Sequence, residues 1–167
     1  MQMKTLYLVR HAKSSWDNAR MTDFERPLNE IGIQSAPIMA RLLKEKKVCP
    51  DLVIASPANR AITTARIFCD IIDYPEERIE TRMEIYQGGA ENLLHLIRKI
   101  PDNHTTAMIF GHNPTLTDLS NALVKEQIDN LATAGIVRID FDTNSWKETA
   151  AGEGKRVWYE TPKKQKT

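Results

Sequence analysis

Cysteine is scarce in this chain. Of its 167 residues only Cys49 and Cys69 carry thiols, far apart and outside any CxxC. That spacing argues against a disulfide, and because both lie in apolar segments they are expected as buried free thiols. No apolar run approaches the roughly 20 residues that cross a bilayer. Met1 leads almost directly into strand-like sequence, with no basic-then-apolar leader, so the expectation is a cytoplasmic protein with no membrane partner. Charge of one sign is missing too: 23 Lys and Arg face 22 Asp and Glu, a formal net charge of +1. A field that weak excludes nucleic acid as the expected main partner, and any basic site must be local. There is no GxGxxG, no Walker loop and no HExxH, so nucleotide binding through those devices is unsupported and no metal or other cofactor is expected. Neither an internal repeat nor a low-complexity linker divides the chain.

What is present suits one soluble domain: 41% apolar and 27% charged residues on a chain long enough for a single core. One domain is expected over 1–160, followed by a basic flexible tail, TPKKQKT, at 161–167. KTLYLVR at 4–10 reads as a buried strand, and the polar stretch from Ala12 to Pro27 as a loop. Asn29 is a candidate N-cap. After it Ile31, Ile38, Met39, Leu42 and Leu43 follow helical spacing, with Pro37 implying a kink or a late start. DLVIAS at 51–56 predicts a second strand, and Ala61, Ala65, Phe68 and Ile72 mark one face of a second helix. RIETRMEIY reads as a third strand, ENLLHLIRKI as a third helix, TTAMIFG as a fourth strand and NPTLTDLSNALV as a fourth helix. IVRIDF and KRVWYE close the pattern as an antiparallel pair. The alternation predicts an α/β fold: a three-layer sandwich with a mostly parallel central sheet and an antiparallel edge near the C-terminus.

In such sheets ligands bind beyond the carboxyl ends of the parallel strands. Arg10 and His11 follow the first strand, Arg60 the second, and His112 the fourth. Singly, each has an ordinary explanation as a surface or satisfied polar residue. Together, four potentially cationic side chains at one sheet edge repel one another, and a bound polyanion is the simplest compensation. Phosphate fits best, because guanidinium forks match its oxygens and helix N-termini near Ala58 and Asn113 add oriented N–H groups. Flanking arginines oppose a divalent cation at the histidines. His95 and His104 lie away from this edge. Trp16 either lines the pocket mouth or packs the loop.

RHAKSSW, SPANRAITTA and GHNPT, in that order, resemble the three signature blocks of the histidine phosphatase superfamily, the acid phosphatase and phosphoglycerate mutase clan. Compact length and the AKS and GHNP variants are most similar to its SixA-type phosphohistidine phosphatases. The resemblance runs from the first strand through the fourth helix. It implies that His11 is the nucleophile, forming a phosphohistidine intermediate that water hydrolyses. It further implies that Arg10, Arg60 and a protonated His112 hold the phosphoryl oxygens. Arg26, in ERPLNEIG, matches a further arginine of the SixA-type pattern; a surface ion pair with Glu25 or Glu30 is the competing reading. Glu84, in RMEIYQGG, is the nearest match to the acid that protonates the leaving group, against a solvated strand-end carboxylate. Asn113 either binds phosphate or caps the fourth helix, roles that are compatible.

Ala12 replaces the glycine of the common RHG signature, and Lys13 and Asp17 stand where sugar-phosphate members place Glu and Asn. Sugar-phosphate mutase activity is therefore disfavoured. An alkoxide leaving group needs a donated proton, whereas a protonated imidazole leaves readily, so a weak acid signal favours phosphohistidine. The expected function is a metal-independent phosphatase acting on phosphohistidine in a protein. The alternatives are a small-molecule phosphomonoesterase on the same scaffold and a non-catalytic phosphoprotein-binding module. A monomer is compatible with the sequence, which leaves oligomeric state open.

Overall fold

The computed structural model describes residues 3–165. Its sheet has six strands: β1 (Lys4–Arg10), β2 (Leu52–Ala55), β3 (Glu80–Thr81), β4 (Thr106–Gly111), β5 (Ile136–Phe141) and β6 (Lys155–Glu160), in spatial order β3-β2-β4-β1-β5-β6. The β3–β2, β2–β4 and β4–β1 pairings are parallel, while β1–β5 and β5–β6 are antiparallel. This is the expected α/β architecture.

Period-two alternation builds two cores, one on each face. Tyr7, Val9, Val53, Ala55, Met108 and Phe110 project to one side, where α1 (Glu30–Glu45) and α2 (Asn59–Ile72) cover them. Leu6, Leu8, Leu52, Ile54, Ala107, Ile109, Val137 and Ile139 project to the other, under α4 (Ala90–Arg98) and α5 (Thr115–Leu123). A short helix, α3 (Met83–Gln87), precedes α4.

Asn29 is the N-cap of α1, its side chain accepting from the Gly32 N–H at 2.9 Å. The helix runs through Pro37 and starts on time, so the late start is corrected. Of its expected stripe, Met39 and Leu43 are buried and Leu42 packs on the core, but Ile31 and Ile38 face away. Gly32, Ala36, Met39, Ala40 and Leu43 face the sheet, while Ile31 is 57% exposed and Ile38 39%. Small residues form the inner face because the helix lies close against the chain beneath it; a Cβ on Gly32 would stand against the Lys13 carbonyl.

Two further expectations are corrected. RIETRMEIY is not a strand: only Glu80 and Thr81 pair with β2, and Met83–Gln87 is helical. Cys69 is buried, but Cys49 is exposed; both are free. At the C-terminus Thr161 is buried and Lys163–Gln165 forms a 3-10 turn, while residues 166 and 167 of the expected tail lie outside the described residues. Among the described residues no helix is long and apolar enough to cross a membrane.

Candidate active site

Three adjacent parallel strands end at one edge, and the residues following them meet there. Arg10 is the last residue of β1. His11, just beyond, continues the ladder by donating its N–H to the Gly111 carbonyl at 3.1 Å. Ala12 N–H donates to Thr64 Oγ1 on α2 at 3.0 Å, so strand and helix together fix the backbone on both sides of His11. Arg60 sits in the first turn of α2 and His112 follows β4. The His11 and His112 rings lie 5.2 Å apart at 53°. Arg10, His11, Arg26, Arg60, His112 and Asn113 all line one cavity of about 400 Å³, with Lys13, Ser14, Trp16, Asn29 and Thr133 completing its wall. Six of the seven residues singled out from the sequence are thus brought together.

His11 Nδ1 is 2.7 Å from the Ala12 carbonyl, an acceptor only, so Nδ1 carries the proton and Nε2 the lone pair. Burial lowers the His11 pKa to about 4; the Ala12 hydrogen bond opposes that shift and the neighbouring arginines reinforce it. The ring is a neutral base at pH 7. His112 is also held neutral, its pKa lowered to about 3 by burial, by His11 and by Arg60. This departs from the protonated ring that the family resemblance implied. His112 Nε2 contacts the buried Ser56 hydroxyl at 2.8 Å, and its Nδ1, also buried, has no protein partner. A Ser56 O–H donated to Nε2 satisfies both of those groups and puts the ring proton on Nδ1, a buried donor without a protein partner. Arg10 donates from Nη1 to the Leu131 carbonyl at 2.9 Å, while its buried Nε is unpartnered.

Arg26 comes from the loop between β1 and α1. Its Nε donates to the Ser15 carbonyl at 3.0 Å and Nη2 to Ser14 Oγ at 2.6 Å. Its guanidinium carbon stacks 3.2 Å from the centroid of Trp16, which is 75% exposed and so lines the mouth of the cavity rather than packing the loop. The ion-pair partner of Arg26 is Asp23, not Glu25 or Glu30. Asp23 opens a 3-10 turn, Asp23–Glu25, and accepts from Arg26 Nη1 at 2.9 Å, Arg60 Nη2 at 3.0 Å and Tyr86 Oη at 2.8 Å. Burial alone would raise its pKa, but hydrogen bonds from Tyr86, Arg26 and Arg60 outweigh that and hold it at about 2. Sequence reasoning missed both Asp23 and Tyr86; the one available signal was the i, i+3 spacing of Asp23 and Arg26 on a turn.

Glu84 is not at this site. It is exposed on α3 and faces a separate cavity lined by Glu80, Arg82 and His104. The strand expected to deliver it ends at Thr81, and two helical residues onward, on roughly the opposite face, Tyr86 points to the site instead, with its ring 5.6 Å from His112. Asn113 Oδ1 accepts from Thr117 N–H at 3.2 Å, capping the start of α5, while Nδ2 donates to Asn130 Oδ1 and the Leu131 carbonyl. No group of three or more His, Cys, Asp or Glu stands close enough to hold a metal ion among the described residues.

The family model of the histidine phosphatase superfamily (branch 1) matches residues 6–114, which contain every residue of the cavity except Thr133. An uncharacterized chloroplastic protein of Arabidopsis thaliana is 30% identical over 164 residues, covering 93% of this chain and 74% of the relative. A crystal structure from Agrobacterium tumefaciens, assigned as a phosphohistidine phosphatase SixA, superposes with a TM-score of 0.82 at 27% identity, covering 95% of this chain and 98% of that one. The protein histidine phosphatase SixA complexed with tungstate superposes at 0.84 with 23% identity, covering 97% and 99%.

Proposed function

This chain belongs to the histidine phosphatase superfamily, and from that premise we propose that it is a phosphatase that uses His11 as its nucleophile and takes phosphohistidine in a protein as substrate. The observation that carries the reading is the meeting of Arg10, His11, Arg60 and His112 in one cavity, with the two imidazoles 5.2 Å apart. His11 Nε2 attacks phosphorus in line, the P–N bond of the substrate breaks, and the phosphoryl group passes to His11 while the substrate imidazole leaves with its proton. Water then attacks the phosphorylated His11, releasing phosphate and restoring neutral imidazole. Arg10, Arg60 and Arg26 supply the charge that meets the phosphoryl oxygens, and the Nδ1–H of His112 adds a directional donor. They bind throughout, and no proton passes through an arginine.

The choice of phosphohistidine rests on the missing acid. Asp23 stands beside the cavity, bonded to two of its arginines, and three donors keep it ionised, so it is poorly suited to protonate an alkoxide. An imidazole already protonated on its other ring nitrogen leaves as the neutral ring, with no acid from the enzyme. The likeness to the SixA structure at 27% identity supports the same substrate class.

The test is a direct comparison of a phosphohistidine-carrying domain with small phosphomonoesters, using the wild type and His11→Ala. Wild-type release of phosphate from the domain, lost by on the order of 10³ or more in His11→Ala, is the expected result. Good turnover of phosphomonoesters with none of the phosphoprotein reverses the substrate assignment. Unchanged turnover in His11→Ala removes the nucleophile.

A further inference from the structure

Asp23 is an oddity beside a cavity shaped for an anion. Its carboxylate takes one N–H from each of two arginines that line that cavity, and a third bond from Tyr86. We propose that Asp23 is an internal counter-anion of the phosphoryl pocket, holding Arg26 and Arg60 in place while the pocket is empty and competing with product phosphate for them. This rests on the phosphatase reading above and adds to it a residue that sets how readily the product leaves.

The geometry suits an exchange. Arg60 Nη1 donates to the Asp23 backbone carbonyl at 2.7 Å, and Nη2 to the carboxylate. If the carboxylate swings away, the backbone bond still positions Arg60. The turn itself is pinned independently: Thr22 N–H and Oγ1 both donate to Glu25 Oε1, and Asn59 Nδ2 donates to the Glu25 carbonyl. Only the Asp23 side chain, 44% exposed, needs to move, and it moves into water. A phosphoryl dianion outcompetes a monoanionic carboxylate for the same donors, because its charge is larger and its oxygens span a guanidinium fork. As phosphate departs, the carboxylate reclaims both arginines, so neither cation is left without a counter-charge at any stage. Arg10, whose Nη1 is taken by the Leu131 carbonyl and which pairs with no carboxylate among the described residues, has no such competitor and holds the phosphoryl group throughout.

Asp23 is a positioning residue, and a purely structural role makes the opposite prediction from a competitive one. If Asp23 only props the arginines, removing its charge loosens phosphate. If it competes, removing its charge tightens phosphate. The experiment measures competitive inhibition by inorganic phosphate, and its binding by calorimetry, for wild type, Asp23→Asn, Asp23→Ser and Asp23→Glu. Asp23→Asn is expected to bind phosphate about three- to tenfold tighter, the effect of deleting one solvent-screened charge beside the pocket. Asp23→Ser, which loses the charge without the amide, follows in the same direction and serves should the Asn variant fold poorly. Asp23→Glu restores the charge and moves the constant back toward wild type. Phosphate binding that is unchanged or weaker in both neutral variants overturns the proposal and leaves the phosphatase reading intact. A wild type that neither binds phosphate nor hydrolyses a phosphomonoester or phosphohistidine overturns both.

Discussion

The hydroxyl of Ser56 stands 2.8 Å from His112 Nε2 and, through its lone pair, also accepts the Ala58 N–H at 3.2 Å. Ser56 is wholly buried at the end of β2, so this contact ties the imidazole after one strand to the turn after its neighbour. It sets which nitrogen of His112 carries the proton.

Ser56→Ala is expected to lower kcat about tenfold and to cost about 1–3 kcal/mol of stability, because the buried Ala58 N–H and His112 Nε2 both lose their partner. The discriminating measurement is the tautomer of His112 by nitrogen-15 NMR. Wild type should show the proton on Nδ1, and the alanine variant a mixture. A variant with the wild-type tautomer and wild-type kcat would show that Ser56 merely fills space.

Stability should fall on the acid side of neutrality, because both cavity histidines are held below the ordinary value of 6.5, His11 at about 4 and His112 at about 3. As pH drops through this window the unfolded chain takes up protons that the folded chain refuses. The contribution is therefore complete above about 6.5 and is lost toward pH 4 and below. Thermal melts between pH 4 and 7 should show the midpoint rising with pH, and His112→Asn should shrink the rise. Saturating phosphate should shrink it as well, since a bound dianion favours the protonated rings.

Gly32→Ala sets two effects against each other. In a helix alanine is favoured over glycine by about 1 kcal/mol. Here the new methyl meets backbone atoms of Lys13, which cannot turn aside as a side chain would. The expected balance is a loss of roughly 1–3 kcal/mol by urea unfolding. KM should also rise, because the strained segment continues into Ser14 and Ser15, the two residues that hold Arg26. A variant more stable than wild type with unchanged KM would show that the loop yields freely.

Short runs rich in apolar and β-favouring residues are legible as strands; Lys4–Arg10 and Ile136–Phe141 lie where those runs put them. Arg10 and His11 at the end of β1, Arg60 after β2 and His112 after β4 were legible because the end of a parallel strand fixes where the next side chains go. Asp23 and Tyr86 were not. They meet the residues of the cavity from a 3-10 turn and a five-residue helix, elements too short to carry a period, and they bond each other. Helical spacing likewise finds a stripe without saying which stripe faces the sheet: Ile31 and Ile38 look like core, yet the glycine and alanines beside them permit the closer approach.

β1 is bonded on both sides, to β4 along one edge and β5 along the other, whereas Arg26 and Asp23 belong to a loop closed by the single bridge Ser14–Leu28. The amides of β1 can exchange with solvent only when the whole sheet comes apart, while the loop can open as a separate, less protected unit. Deuterium uptake should thus divide the cavity in two, with a slow half carrying the nucleophile and a fast half carrying the side chains that greet the substrate. Changes in the fast half can retune recognition without disturbing the chemistry anchored in the slow one.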